Sequence, residues 1–140
     1  MLRTLLVFSF AIGIAVACDC KDVTPKEAFC NADWVGVFEV YSLTNSDNEL
    51  LYNVNTYDDF KSKNDVPEPT QIAQLFTSPD EASCGVVGLQ VGVKYLLVGS
   101  LKKNGELHMT SCGQFPELEW DKVSEDIKTS LENEEYEPCQ

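Results

Sequence analysis

VKYLLVGSLKKNGELHMTSC, residues 93–112, decides how the chain folds. Val93 to Lys102 is a strongly apolar run, dense in valine, leucine and tyrosine, and it reads as a β-strand. Asn104-Gly105 follows, the residue pair that best tolerates the left-handed backbone of a tight hairpin turn. Glu106 to Cys112 then returns as the partner strand. This end of the chain is therefore expected to be antiparallel β-structure.

Upstream, the same alternation recurs. Trp34 to Ser42 reads as a strand with Val35, Val37 and Glu39 on one face and Gly36, Phe38 and Val40 on the other. Thr44 to Asn48 is a polar turn, and Leu50 to Phe60 is a second strand alternating through Leu51, Asn53, Asn55 and Tyr57. Lys61 to Pro69 contains Pro67 and Pro69 and reads as a loop. Thr70 to Thr77 forms a third strand, and Ser78 to Gly85 a second loop holding Pro79 and Cys84. Near the start, Thr24 can cap a short helix. Pro25 suits its first position and Glu27 can reach back to complete a capping box, with Phe29 and Cys30 turned inward.

Downstream of Pro116, Trp120, Val123, Ile127 and Leu131 recur at helical spacing, which predicts a C-terminal helix with one buried face. The sum is about five strands and two peripheral helices without internal repeats. A five-stranded closed barrel of the oligonucleotide/oligosaccharide-binding type suits that count.

Residues 1–17 stand apart. Arg3 precedes an apolar run from Leu5 to Val16, and Ala15-Val16-Ala17 offers the small-x-small pattern that a signal peptidase accepts. The run is too short and too strictly N-terminal to favour a membrane span. A secreted chain beginning at Cys18 is expected, with a single domain over residues 18–140. Loss of Arg3 leaves nine lysines against 23 acidic residues, a formal charge of −14. Such a surface repels nucleic-acid phosphates and anionic lipids, so neither is an expected partner and the barrel is not expected to serve nucleic acid.

Six cysteines remain in a chain bound for an oxidising compartment, and three disulfides are the default. A zinc site is disfavoured, because there is no Cys-x-x-Cys pair and His108 is the only histidine. Catalysis is disfavoured too. His108 lies inside a strand, no carboxylate pair stands out, and no phosphate-binding glycine loop exists. The chain is expected to be no enzyme and to carry no cofactor of its own.

The unusual feature is Cys18-Asp19-Cys20. Residues two apart in an extended segment share a side, so Cys18 and Cys20 would turn toward the body and Asp19 outward. Two adjacent disulfides would make a normally mobile terminus rigid. A rigid exposed tip suits a binding edge, because its ordering cost is met before binding. The same spacing also suits cysteines that merely tie down a loose end, and spacing alone does not separate the two.

Further residues carry a resemblance. Cys18-Asp19-Cys20, then Ala28-Phe29-Cys30-Asn31-Ala32-Asp33, then Glu81-Ala82-Ser83-Cys84-Gly85, then Gly105 through Cys112 are similar to the N-terminal domain of the tissue inhibitors of metalloproteinases. The likeness covers essentially all of residues 18–140. It implies the netrin-like fold, a five-stranded barrel with flanking helices. It also implies the pairings Cys18–Cys84, Cys20–Cys112 and Cys30–Cys139. Each would close a long loop and contribute up to about 4–5 kcal/mol in the chain-entropy picture.

The resemblance implies a function as well: inhibition of extracellular zinc metalloendopeptidases of the matrix metalloprotease (metzincin) type. The free α-amino group and carbonyl oxygen of Cys18 would chelate the protease's catalytic zinc. Asp19 would enter the specificity pocket beyond the metal, and Cys20 and Lys21 would follow along the cleft. Glu81, Ala82 and Ser83 would flank the other side, and the inhibitor would act as a monomer.

Two features depart from the family pattern. Asp19 stands where the family usually carries a small uncharged residue, and the expected form is a short, nematode-like one without the six-cysteine second domain of vertebrate members. A carboxylate at position 19 makes a non-inhibitory netrin-like module, binding a matrix, receptor or host protein, the competing class.

Overall fold

A computed structural model describes residues 17–62 and 72–140. The proposed leader (1–17, apart from Ala17), most of the expected Lys61–Pro69 loop, and the first two residues of the expected third strand lie outside the described residues. The element order is α1 (Pro25–Asn31), β1 (Trp34–Asn45), β2 (Leu50–Ser62), β3 (Ile72–Thr77), β4 (Lys94–Leu101), β5 (Leu107–His108), a 3-10 turn (Trp120–Lys122) and α2 (Glu125–Glu132). The strands close a barrel in the order β1-β2-β3-β5-β4. All neighbours run antiparallel except β3 and β5, which pair in parallel.

Helix α1 begins as its sequence requires. The Thr24 side chain accepts from the Glu27 N–H at 3.2 Å, and the Glu27 carboxylate accepts from the Thr24 N–H at 2.7 Å. Those backbone and side-chain bonds to Thr24 hold the Glu27 carboxyl below its usual range. At the other end, Lys61 of β2 donates to the carbonyls of Phe29, Cys30 and Ala32 at 2.9, 3.2 and 2.6 Å. A cation from another element thus satisfies two of the orphan carbonyls of a seven-residue helix and that of its C-cap, and complements its dipole.

The two faces of β1 feed two cores. Trp34, Phe38 and Val40 point into the barrel, where they meet Tyr52, Val54, Leu75, Leu97 and Met109. Val35 and Val37 point outward and are equally buried, under Phe29, Phe115, Val123 and Leu131 of the flanking segments. The alternation expected for Trp34 to Ser42 therefore separates two apolar environments rather than core from solvent.

Four expectations are corrected. The strand predicted to end at Ser42 runs on to Asn45, so Thr44 and Asn45 belong to β1. The turn is Ser46 to Glu49, closed by a 2.9 Å bond from the Ser46 N–H to the Glu49 carbonyl. Lys61 and Ser62 extend β2 instead of opening a loop. The C-terminal helix is broken: Trp120 sits in the 3-10 turn, and α2 starts afresh where the Ser124 hydroxyl caps the Ile127 N–H. A stripe at positions 120, 123, 127 and 131 survives this break, because both pieces bury the same side. Finally, the return strand predicted over Glu106 to Cys112 is only Leu107–His108. The Asn104-Gly105 turn itself forms, with Gly105 at φ 85°, but the chain leaves β4 after two paired residues.

Candidate functional site

The departure from β4 positions the site. After β5, Met109 donates to the Phe76 carbonyl of β3 at 2.9 Å, and Ser111 donates to the Cys84 carbonyl at 2.9 Å. The segment 110–112 thus crosses from the barrel wall to the loop after β3. The pairs Cys18–Cys84, Cys20–Cys112 and Cys30–Cys139 all form, with Cα–Cα distances of 5.1, 5.1 and 5.4 Å. The first two bolt the Cys18-Asp19-Cys20 segment to this junction, one to each strip of chain. They lie against one another, with the Cys18 sulfur 3.5 Å from that of Cys112 and 3.8 Å from that of Cys20.

The sulfurs of Cys18, Cys20 and Cys112 fall within 4.8 Å of one another, the only such ligand cluster among the described residues. All three are spent in disulfides, and zinc is held by thiolates. The cluster is a cross-link rather than a metal site.

Between the two bolted cysteines, Asp19 is exposed, and its carboxylate has no hydrogen-bond or ion-pair partner among the described residues. Cys18 is half-buried, while Cys20 and Lys21 are exposed. The alternation expected for this tripeptide is realised at Asp19, whereas Cys20 keeps part of its surface in solvent.

Glu81, Ala82 and Ser83 lie exposed on the loop that carries Cys84, so they share the face on which the Cys18 segment is anchored. The loop is braced from within. The Asp80 carboxylate accepts from the Ser83 N–H at 2.8 Å and from its hydroxyl at 2.6 Å, which holds the Asp80 carboxyl below its usual range. Cys84 adopts a left-handed φ of 64°, and Gly85 donates to the Asp80 carbonyl at 2.9 Å. Behind Gly85 the chain is tied to the barrel: Val86 donates to the Thr77 hydroxyl at 2.9 Å, and buried Tyr52 donates to the Val86 carbonyl at 3.0 Å. Burial pushes the Tyr52 phenol up, so it stays a donor.

The sequence reading missed Asp80, Ser111 and Gln114. Asp80 had a visible signal, an aspartate after proline and three residues before a serine, the pattern of a side-chain-closed turn. Ser111 and Gln114 had none, because their roles depend on contacts across the fold. His108, set aside as a catalyst, stacks on Phe76 with ring centroids 5.2 Å apart and hydrogen-bonds Glu106 at 2.8 Å, a bond that lowers the Glu106 carboxyl.

A small closed barrel with a tripeptide, exposed at its central Asp19, bolted by two adjacent disulfides defines a class. Residues 16–140 match the family model described as tissue inhibitor of metalloproteinase. The chain belongs to that family. It is 32% identical over 148 aligned positions to human metalloproteinase inhibitor 2, covering 97% of this chain and 64% of that protein. It is 31% identical to the dog protein of the same name, covering 90% of this chain and 59% of the relative. It is also 26% identical to a Caenorhabditis elegans protein named "Putative metalloproteinase inhibitor tag-225", covering 93% of this chain and 94% of that one. The chain therefore spans less than two thirds of the length of the mammalian relatives and nearly all of the nematode one. These relatives are named as inhibitors, not as enzymes. No helix among the described residues is long and apolar enough to cross a membrane.

Proposed function

We propose that this protein is a secreted inhibitor of zinc metalloendopeptidases that uses its mature terminus as the inhibitory group. The observation that carries the reading is the Cys18-Asp19-Cys20 segment, exposed at Asp19 and Cys20 and cross-linked to Cys84 and Cys112 on two strips of chain that are themselves hydrogen-bonded. A terminus so fixed loses little conformational freedom on entering a cleft. The family and the inhibitors named above support the reading.

Removal of residues 1–17 would place a free α-amino group on Cys18. That amine and the Cys18 carbonyl oxygen would chelate the zinc of the partner protease, which keeps a coordination position for water or substrate. The amine must be neutral to donate its lone pair, and its ordinary pKa of about 7.7–8.0 makes that accessible near neutral pH. Asp19 would project beyond the zinc into the specificity pocket. Cys20 and Lys21 would lie along the cleft, with Glu81, Ala82 and Ser83 on the opposite flank. The targets would be extracellular proteases of the matrix metalloprotease type, met by one copy of the inhibitor.

The Asp19 carboxylate favours a second reading for such targets. Burying it unpaired beside the acidic general base of the protease costs several kcal/mol. A netrin-like module that binds a matrix, receptor or host protein without inhibiting would leave Asp19 in solvent.

One added alanine before Cys18 separates the two. The extension turns the amine into an amide that cannot ligate zinc, and it should abolish inhibition while the three disulfides still form. Equal inhibition by the extended and the Cys18-terminated protein in a metalloprotease panel would refute the chelating terminus.

A further inference from the structure

The early end of β5 has a specific cause in one side chain. The β4–β5 register pairs Leu101 with Leu107 and Ser100 with His108, so continuing it would set Thr110 opposite Val98. The carboxamide of Gln114 occupies that place instead. Its Oε1 accepts from the Val98 N–H at 3.1 Å, and its Nε2 donates to the Val98 carbonyl at 2.8 Å and to the Thr110 carbonyl at 2.8 Å. A primary amide has two donors and an acceptor, and all three functions are engaged here. It meets Val98 as a facing strand residue would, exchanging both bonds of an antiparallel pair.

We propose that Gln114 is a positioning residue for the inhibitory edge: its amide replaces the backbone of Thr110 beside Val98 and so turns Ser111-Cys112 out of the sheet toward Cys84 and Cys20. Had Thr110 paired with Val98, the chain would continue along β4, away from the bond its next residue makes to Cys84. Ser111 would lose its partner, and Cys112 would carry the Cys20 anchor with it. Gln114 also lines the open groove beside Glu81, Gly85 and Ser111, so the wedge and the inhibitory loop share a wall. The role concerns the inhibitory edge and rests on the reading given under the proposed function.

The test compares the parent with Gln114→Met, which keeps length and volume but has no amide. Gln114→Asn, whose amide is one methylene short of Val98, is the milder variant should the methionine protein not be secreted. Ile127→Ala, on α2 in the other core, is the control for a general loss of stability. Two quantities are read: amide hydrogen exchange at Val98 and Ser111 in the free protein, and the rates of association with and dissociation from an inhibited metalloprotease.

Loss of the amide should speed exchange at both positions and raise the dissociation rate by about tenfold or more, with association changed by no more than about threefold. Unchanged exchange at Ser111 overturns the proposal. So does faster exchange with unchanged dissociation, or dissociation accelerated equally in the control. If the parent inhibits no protease of the panel, the inhibitory reading falls by itself, and Ser111 exchange still decides whether Gln114 holds the crossing segment.

Discussion

The Ser111 N–H donates to the Cys84 carbonyl over 2.9 Å, and this bond joins the two strips of chain to which the Cys18-Asp19-Cys20 segment is cross-linked. Cys18 is bonded to the residue that accepts it, and Cys20 to the neighbour of the residue that donates it. The two disulfides therefore do not act independently. They hold one three-part platform whose geometry depends on the Ser78–Gly85 loop, the crossing segment and the Cys18–Cys20 segment together. Disturbance of any part should be felt at Asp19 through its cross-linked neighbours Cys18 and Cys20.

Gly85 is where the loop is tightest. A Cβ there would collide with the Ser78 carbonyl oxygen and meet the Asp80 carbonyl oxygen at 2.7 Å, both backbone atoms. Neither can yield without moving the loop. Gly85→Ala should lower stability by about 1–3 kcal/mol or more, the range for forcing extra volume into a packed site. Thermal unfolding of the alanine variant measures the loss, and a wild-type midpoint would show that the loop is looser than described.

The brace at Asp80 depends on pH. The Ser83 hydroxyl and N–H hold the Asp80 carboxyl below its ordinary value of about 3.9. Because the folded value is depressed, the stabilisation is complete above the unfolded value and is lost as pH falls through the folded one. Asp80→Ala should therefore destabilise the protein at neutral pH, and its deficit against the parent should shrink below about pH 4. Unfolding midpoints of both proteins across that range provide the check.

Lys61 is a structural cation in an acidic protein. Its ammonium holds three carbonyls at the end of α1, which carries Cys30 and so the third disulfide. Lys61→Met keeps most of the stem and removes the charge. A loss of about 2 kcal/mol is expected, within the range for bonds to a charged group. Denaturant unfolding measures it, and a midpoint equal to the parent's would show that water replaces the ammonium at no cost.

What the sequence disclosed was local, and what it hid was decided at a distance. The Thr24–Glu27 capping box forms within four residues, so it could be read directly. The Asn104-Gly105 turn is equally local, and it formed. The length of the strand after it is set by Gln114 and by the cross-links at Cys84 and Cys20, none of which alternation within Glu106–Cys112 can report. The break before α2 did have a signal in Ser124-Glu125-Asp126, a cap followed by acidic residues. It was masked by an apolar stripe that a 3-10 turn and a helix can share. Of the proposed site, the disulfide anchors followed from the family likeness. The outward turn of Asp19 followed from two-residue alternation, the Asp80–Ser83 turn had a local signal in the sequence, and the contacts of Ser111 and Gln114 became visible only in three dimensions.

In the proposed inhibitor, Asp19 is the residue on which the choice of target would depend. It is exposed between two cross-linked neighbours and has no partner among the described residues, so Asp19→Thr should scarcely change the unfolding midpoint. In a protease cleft the effect should be large. The carboxylate would be desolvated in the pocket beyond the zinc, near the acidic general base. Threonine there should tighten binding to a typical matrix metalloprotease by about 1–3 kcal/mol, roughly ten- to a hundredfold, the scale of relieving one poorly compensated polar burial. A protease with a basic group in that pocket should respond the other way, because Asp19 would then find its partner and act as a specificity device. The measurement is a pair of inhibition constants, one for the parent and one for the Asp19→Thr variant, against each of several metalloproteases. Opposite signs for acidic and basic pockets would place the side chain inside the cleft. Equal constants throughout would place residue 19 outside every cleft tested, and the non-inhibitory binding module would then be the better account of this surface.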